Sequence, residues 1–286
     1  MNSCSRSPQI RSMAGVALLV TLAFAVAQAD EPSSNSEDAL STIHSVFNGQ
    51  RGEWIDLTHT FSEDSIYWPT DTRGFEFEEL AHGHTEGGWF YSSYRFSSAE
   101  HGGTHMDAPI HFAEGRHTSD EVPLSKLIGP AAVIDVSAQA HPDYLISLDD
   151  FRGWEAEHGQ LPDGAIVLVR TGWDKRYGDR SAYLGTDETG PEAVPKLHFP
   201  GLDPKAARWL VNKRNIAAFG LDTPSLDYGQ SKDFRSHVVL SSQNIPGFEN
   251  IANLSELPPH GSFVVALPMK IKGGSGGPLR IVAYKP

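Results

Sequence analysis

Residues 203–220 read DPKAARWLVNKRNIAAFG and combine a helix signal with a strand signal. Asp203 followed by Pro204 is typical of a helix start, an N-cap residue with proline at the first helical position. The apolar residues that follow repeat at helical spacing: Ala206, Ala207, Leu210 and Val211. A strand pattern then begins at Ile216. A helix that leads directly into a strand favours an α/β arrangement over a pure β-sandwich.

The other secondary-structure signals are mostly strands. A second helix is predicted between Ser147 as the N-cap and Gly159 as the stop. Runs rich in β-branched and aromatic residues predict seven strands, which are Trp54–Leu57, Phe90–Ser97, Ala131–Val136, Ala165–Arg170, Ile216–Phe219, Phe263–Leu267 and Leu279–Tyr284. Since no second linker and no internal repeat interrupts them, residues 51–286 are expected to form one domain that mixes α and β structure.

The N-terminal region carries a targeting signal rather than part of the fold. Residues 13–27 form an apolar run of about 15 residues, too short to span a bilayer comfortably. The run follows two arginines and ends in Ala27-Gln28-Ala29, so residues 1–29 are predicted to be a secretory signal peptide of a secreted or periplasmic protein. An uncleaved membrane anchor is the alternative. Residues 30–50 are polar and predict a flexible N-terminal segment.

The composition and net charge exclude several classes of protein and several kinds of catalytic group. The 286 residues are 39% hydrophobic and 21% charged, which excludes a disordered chain. The net charge is −13, or −15 without residues 1–29, and no long basic run follows Arg11, so nucleic acid is not expected as a partner. The one cysteine, Cys4, lies inside the signal peptide. The remaining chain therefore offers no thiol, and its chemistry must come from oxygen and imidazole groups.

Residues 101–112, HGGTHMDAPIHF, carry a candidate metal site. If residues 105–111 are extended, their period of two places His105, Asp107 and His111 on one face. The two glycines that follow His101 allow a sharp turn that brings its imidazole back to the same point. His101, His105 and Asp107 would then bind a metal and leave positions open for water and substrate. Without cysteine ligands the metal is expected to be Zn²⁺ or Mn²⁺, and these donors do not choose between them.

This stretch resembles the HxGTHxDxPxH signature of the cyclase family of metal-dependent hydrolases, which includes bacterial kynurenine formamidase and isatin hydrolase. The family also carries a histidine followed 12 residues later by a glutamate in an ENxxNL motif, and His237 and Glu249 have this spacing. Residues 267–280 resemble the closing segment of the family. Three motifs in the same order are much more specific than one.

The resemblance implies roles for individual residues. His101, His105 and Asp107 would bind a first metal. In the dinuclear formamidases Asp107 would bridge to a second metal held by His237, with Glu249 touching both, so one or two divalent ions per subunit are expected.

The resemblance also implies a catalytic histidine, a substrate contact and an architecture. His111 matches the acid/base histidine of the family, and Trp68 matches a tryptophan that stacks on the substrate. The fold implied is an α/β fold, a mixed β-sheet with packed helices in a swivelling β/α/β arrangement, and the protein is expected to be a homo-oligomer, a dimer or larger. After signal cleavage we expect no membrane association.

The leading hypothesis is a secreted amidohydrolase that opens a small cyclic aromatic amide such as isatin, and the alternative is an arylformamidase acting on N-formylkynurenine. An iron(II) oxygenase would use His105, Asp107 and His237 as a facial triad. This second hypothesis explains fewer residues, and Gly247 occupies the position where an oxoglutarate-binding arginine would be expected. A third hypothesis is a non-catalytic metal-binding or ligand-binding protein. This third hypothesis leaves His111, the residue that matches the acid/base histidine of the family, without a role.

Overall fold

The computed structural model describes residues 1 and 34–286. The predicted signal peptide, residues 1–29, therefore lies outside the described residues except for its first residue. The compact body of the protein comprises Ser45–Pro286. None of the helices that the structure describes is both long enough and apolar enough to cross a membrane.

Helix α1 (Ser34–Phe47) occupies most of residues 30–50, the segment that the sequence predicts to be flexible. At its C-terminal end Phe47 stacks on Trp54 with ring centroids 5.4 Å apart. The indole Nε1 of Trp54 donates to the Val46 carbonyl at 3.2 Å. Residues 34–47 therefore have regular helical structure that the sequence analysis did not predict, and the flexibility of residues 30–50 stays a prediction.

Twelve strands occur in the described part of the chain. They are β1 (Glu53–Asp56), β2 (Glu76–His84), β3 (Phe90–Ser97), β4 (His105–Asp107), β5 (Ile128–Asp135), β6 (Leu145–Ile146), β7 (Ile166–Arg170), β8 (Gly201–Leu202), β9 (Ala218–Leu221), β10 (Gly247–Glu249), β11 (His260–Pro268) and β12 (Gly276–Lys285). The remaining helices are α2 (Leu124–Leu127), α3 (Leu148–His158), α4 (Arg180–Leu184), α5 (Pro204–Lys213) and α6 (Arg235–Ser241). Short 3-10 helices cover Pro109–His111, Trp173–Arg176, Pro191–Lys196 and Leu254–Glu256.

Among the described strands, eight form one mixed sheet in the order β1-β12-β11-β5-β7-β9-β10-β4. Its central strands, from β5 to β10, run parallel, and the other neighbours are antiparallel. The first half of β12 also pairs with β4, which closes the sheet into a barrel. Strands β2 and β3 form a separate hairpin, and β6 pairs with β8.

The parallel strands are buried on both faces, as their continuous apolar sequences require. On one face Val133 of β5 and Leu168 of β7 pack with Met106 of β4. On the other face alternate residues such as Val167 pack against Phe151 of α3, together with the apolar side of α5. The two layers of apolar contact hold the ends of the strands, and the loops that follow them, in fixed positions.

The mixed α/β fold is confirmed, and each of the seven predicted strands overlaps an observed one. Helix α3 begins after a capping box formed by Ser147 and Asp150, and it ends at Gly159. Helix α5 begins after Asp203, whose carboxylate accepts from the Lys205 N–H at 2.7 Å. The swivelling β/α/β detail stays a prediction.

Candidate metal centre and active site

The site is built around the short strand β4, which lies between β10 and β12. The antiparallel register of β4 with β10 places His105 directly opposite Glu249. Opposed residues in such a pair have neighbouring side chains, and Nε2 of His105 lies 3.4 Å from Oε2 of Glu249. Asp107 is two residues further along β4 and points to the same face, with Oδ1 3.3 Å from the same Nε2 atom.

A tight turn returns His101 to this point. Gly103 adopts a left-handed conformation with φ of +57°, which suits glycine because it has no Cβ atom. Nδ1 of His101 lies 2.7 Å from Oδ1 of Asp107, and its Nε2 lies 2.9 Å from the Ser275 hydroxyl. The turn at Gly102 and Gly103 therefore brings the His101 imidazole to Asp107, as the sequence predicts.

His237 reaches the cluster from helix α6. Its Nε2 lies 3.1 Å from Oδ2 of Asp107 and 3.0 Å from Oε1 of Glu249. Its Nδ1 lies 2.7 Å from Oδ2 of Asp227, a buried carboxylate that also accepts from the backbone N–H groups of Ser236 and His237. Sequence reasoning missed Asp227, because it lies in a loop ten residues before His237 and belongs to no local motif.

One buried atom supports the assignment of a metal to this cluster. Nδ1 of His105 lies 3.0 Å from the Gly103 carbonyl and donates its proton to it, so Nε2 is the nitrogen that can bind a metal. This Nε2 is buried without a hydrogen-bond partner and faces Asp107 and Glu249. Burial disfavours the charged form of His105, but the two carboxylates raise its pKa, so this point of the cluster requires a positive charge, either a proton or a metal ion. The donor set of imidazole and carboxylate groups therefore fits a divalent ion.

The electrostatics of the cluster are strongly coupled. Burial opposes ionisation of Asp107, but the charges and hydrogen bonds of the surrounding histidines hold its pKa well below the ordinary value. Burial and the nearby Asp107 charge raise the pKa of Glu249. Burial disfavours the charged form of His237, yet its bonds to Asp107, Asp227 and Glu249 raise its pKa well above the ordinary value.

Two groups of donor atoms could each contribute to a metal site, and they share Asp107. One comprises His101, Asp107 and His111, and the other His105, Asp107 and Glu249; within each group the donor atoms lie within 4.8 Å of one another. The residues predicted as ligands from the motifs thus lie together in the fold. The shared carboxylate is compatible with one ion or with two.

The predicted extended run from His105 to His111 is corrected. Strand β4 ends at Asp107, because Pro109 cannot donate to a ladder and instead begins the 3-10 helix that ends at His111. The turn nevertheless brings the His111 ring onto His101, with centroids 3.8 Å apart and planes 17° apart. His111 is exposed on the pocket side, and desolvation by the rings around it lowers its pKa below the ordinary value.

An aromatic pocket of about 340 Å³ opens above the cluster. Trp68 lines it, in contact with the edges of Phe199 and Phe234 at centroid distances of 6.4 and 6.1 Å. Phe112 and Tyr67 add further apolar surface, and the His and carboxylate groups form the polar end. The predicted substrate-stacking position of Trp68 therefore lies in the wall of this pocket.

Two buried polar residues beside the site have supporting contacts. The amide of Asn250 donates to the Gly103 carbonyl at 2.6 Å and accepts from the Tyr183 hydroxyl at 2.8 Å, so it braces the turn after His101. The carboxylate of Asp222 accepts from the backbone N–H groups of residues 171–173 and from the Thr171 hydroxyl. It caps that loop.

Comparison with known proteins identifies relatives. A family model described as a putative cyclase matches residues 55–228. The isatin hydrolase of Roseibium aggregatum is 41% identical over 197 residues, which cover 65% of this chain and 72% of that protein. The kynurenine formamidase of Salinibacter ruber is 30% identical over 231 residues, covering 80% of this chain and 95% of that protein.

Solved structures agree with these matches. The structure of an isatin hydrolase bound to the product analogue thioisatinate superposes with a TM-score of 0.78 at 33% identity, covering 88% of this chain and 99% of that one. An isatin hydrolase from Ralstonia solanacearum superposes with a TM-score of 0.75 at 32% identity, covering 91% and 100%.

Fold and site together define a class of α/β proteins in which a buried cluster of histidines and carboxylates lies beneath an aromatic pocket. The chain belongs to the cyclase family. It is a hydrolase, as the motifs predict.

Proposed function

We propose that the protein is a metal-dependent amidohydrolase that opens a small cyclic aromatic amide of the isatin type. The observation that carries the proposal is the convergence of three imidazoles and two carboxylates beneath an aromatic pocket, with His111 at the pocket side of the cluster. Relatives named isatin hydrolase and kynurenine formamidase support hydrolysis of a carbon–nitrogen bond outside a peptide. The more similar relative favours ring opening.

His101, His105 and Asp107 would hold the first divalent ion, Mn²⁺ or Zn²⁺, and His237 with Glu249 would complete a second position around Asp107. A divalent ion supplies Lewis acidity, which polarises an acyl oxygen and lowers the pKa of water. Asp227 fixes the tautomer and orientation of His237 through its Nδ1. The Gly103 carbonyl does the same for His105.

His111 is the group that would move the proton. Its lowered pKa keeps the imidazole neutral near pH 7, so it can accept a proton from the attacking water and return it to the departing nitrogen. Stacking on His101 holds the ring beside the cluster. Its exposure to the pocket gives it direct access to a bound substrate.

The aromatic walls would position a planar ring. Phe234 is in aromatic contact with both Trp68 and Phe112, and a stacked substrate would present its acyl carbon to the polar end of the pocket. Such aromatic pairs are worth about 0.5–1.5 kcal/mol beyond simple burial.

The direct test uses purified protein stripped of metal and reloaded with Mn²⁺ or Zn²⁺. Isatin and N-formylkynurenine are offered in parallel while absorbance reports ring opening or deformylation. Bound metal is counted per chain by elemental analysis. Metal-dependent turnover of isatin supports the proposal, turnover of N-formylkynurenine alone supports the arylformamidase alternative, and the absence of bound metal contradicts both.

A single substitution tests the acid/base role. His111→Ala is expected to retain most of the bound metal while turnover falls by a factor on the order of 10² to 10⁴. The exposed His198, which pairs with Asp143 at 2.7 Å, provides the matched control as His198→Ala. An unchanged rate for His111→Ala would remove this histidine from the mechanism.

Secretion or periplasmic localisation is also part of the proposal, and it rests on the pattern of residues 1–29. Fractionation of expressing cells tests it. Recovery of a shortened chain from the periplasm or medium supports export, and recovery of the full chain from the cytosol contradicts it.

A further inference from the structure

Glu100, the residue before His101, is joined to that histidine by a chain of hydrogen bonds through Ser275. Oε2 of its carboxylate accepts from the Ser275 hydroxyl at 2.6 Å and from the backbone N–H of the same residue at 2.9 Å. Oγ of Ser275 in turn lies 2.9 Å from Nε2 of His101. Glu100 belongs to neither group of candidate metal donors, so its two contacts with Ser275 need another explanation.

The single proton of the Ser275 hydroxyl fixes the direction of these hydrogen bonds. A hydroxyl has one proton to donate, and its lone pairs accept. The distance of 2.6 Å to Glu100 is typical of a charge-assisted hydrogen bond from a hydroxyl to a carboxylate. Because the proton is directed at Glu100, Oγ can only accept from His101, and Nε2 of His101 carries a hydrogen. Nδ1, which lies 2.7 Å from Oδ1 of Asp107, is then the nitrogen left to bind a metal.

We propose that Glu100 and Ser275 are positioning residues that set the tautomer and the orientation of the His101 imidazole for metal binding. The proposal rests on the proposed function in taking His101 as a metal ligand. An acceptor for the hydrogen of the nitrogen that does not bind the metal orients the ring and makes the other nitrogen a more basic ligand. His111 stacks on the same ring with centroids 3.8 Å apart, so the chain also holds the surface against which His111 packs.

Backbone contacts of the glycine-rich loop before β12 hold Ser275 in place. The carbonyl groups of Gly274 and Ser275 accept from the backbone N–H groups of Ser119 and Ala108, both at 2.8 Å. A Cβ atom at Gly274 would lie 2.5 Å from Oε1 of Glu100, so the loop backbone packs directly on this carboxylate. Removal of the Glu100 or Ser275 side chain should therefore leave the loop in position and change only what Nε2 of the histidine meets.

The test is a double-mutant cycle in which Mn²⁺ affinity of the stripped full chain is measured by titration calorimetry. Glu100→Ala and Ser275→Ala should each weaken Mn²⁺ binding by a factor of about 10 to 100. The double variant should bind no more weakly than Ser275→Ala, because the carboxylate acts through the hydroxyl. Glu114→Ala, at an exposed position, and Ser119→Ala, which removes a buried hydroxyl that donates to the Met269 carbonyl at 3.1 Å, are the matched controls and should bind as the wild type does.

Nitrogen chemical shifts of His101 give a reading that a merely structural role would not move. In the Zn²⁺-loaded wild type, Nδ1 should have the shift of a metal-bound nitrogen and Nε2 that of a protonated nitrogen. His101→Gln assigns these signals by their loss. In Glu100→Ala the Nε2 hydrogen should exchange with water at least about tenfold faster, because the Ser275 hydroxyl is then free to turn. Circular dichroism verifies that the variants remain folded.

A wild type in which Nε2 of His101 carries no hydrogen overturns the proposal. Additive losses of Mn²⁺ affinity in the double variant also overturn it, since they would show that Glu100 acts on the loop backbone and not through the Ser275 hydroxyl. A stripped protein that binds no ion would contradict the proposed function and the positioning role together. Equal Mn²⁺ affinities of Glu100→Ala, Ser275→Ala and the two controls would overturn the positioning role alone.

Discussion

Asp227 has no place in any sequence motif, yet it fixes the orientation of His237. Its carboxylate lies 2.7 Å from Nδ1 of that histidine and accepts two backbone N–H groups at the start of α6. Asp227→Asn would place an amide nitrogen where an acceptor is needed. We expect metal affinity to fall by a factor of about 10 to 100, measured by titration of the stripped protein. Asp233→Asn, at an exposed position, is the control, and equal affinities in the two variants would contradict the role.

Phe234 tests the aromatic wall of the pocket at a strained position. It has a left-handed backbone, with φ of +47°, and contacts Trp68 and Phe112. Phe234→Ala and Phe234→Asn both remove the ring, so both should raise KM for the aromatic amide roughly three- to tenfold. Asparagine tolerates the left-handed region better than alanine, so Phe234→Asn should be more stable by about 1 kcal/mol. A KM equal to that of the wild type would exclude substrate contact.

Residue types and spacing predicted the polar end of the site but not the groups that support it. His101, His105 and Asp107 lie within seven residues, and the two glycines explain how they meet. Asp227 and Ser275 approach through long-range packing, with Ser275 reaching His101 from 174 residues away. No local sequence pattern predicts that these residues reach the site, because their positions depend on which strands become neighbours in the sheet.

Among the elements, the pairing of β12 with β4 leaves no room for a side chain at Gly276. A Cβ atom there would lie 2.5 Å from the Met106 carbonyl oxygen and 2.6 Å from Cε1 of His101. At Gly277 the nearest atom would be 3.2 Å away. Gly276→Ala should therefore cost about 1–3 kcal/mol of unfolding free energy and weaken metal binding by displacing His101. Gly277→Ala should cost less than about 1 kcal/mol.

Denaturant unfolding and metal titration of these two variants check the prediction. Equal stability losses would show that the close approach of β12 to β4 does not constrain the site. Loss of stability in Gly276→Ala with unchanged metal affinity would show that His101 keeps its position independently of the barrel closure.

Elements with strong local signals were predictable, and elements that depend on partners were not. The caps of α3 and α5 and the apolar runs of β5 and β7 are visible in sequence and lie where expected. Strand β4 spans three residues, too few for a periodic signal, and exists because β10 and β12 pair with it on either side. Its early end at Pro109 explains why the extended prediction for residues 105–111 failed.

On the scale of the whole molecule, the closure of the sheet could not be predicted. The two halves of β12 pair with different strands, β4 and β1, that are about 50 residues apart in the sequence. Hydrophobic alternation fixes which face of a strand is buried but leaves the identity of its neighbour open. Closure is nevertheless what brings the loop before β12, and with it Ser275, to the metal cluster.

The stability of the whole protein should fall in acid because of His59, which lies outside the metal cluster. Its ring stacks on Tyr177 at 3.6 Å, and its Nε2 is buried without a hydrogen-bond partner. Burial lowers the pKa of His59 from 6.5 to about 4. Between these values the unfolded chain binds a proton that the folded chain does not, so the stabilisation is complete above pH 6.5 and is lost as the pH falls towards 4. The loss amounts to about 3 kcal/mol.

His59→Phe keeps an aromatic ring at this position and removes the titrating imidazole. The substitution therefore separates the effect of His59 from the titration of other groups in acid. Urea unfolding of the metal-free protein at pH 7 and pH 4.5 should show a smaller loss of unfolding free energy in His59→Phe than in the wild type, by about 2 to 3 kcal/mol. His141→Phe, at an exposed position, is the matched control and should follow the wild type. If His59→Phe loses as much unfolding free energy as the wild type between pH 7 and pH 4.5, the acid sensitivity arises elsewhere in the protein. Protonation of His59 would then not destabilise the folded state.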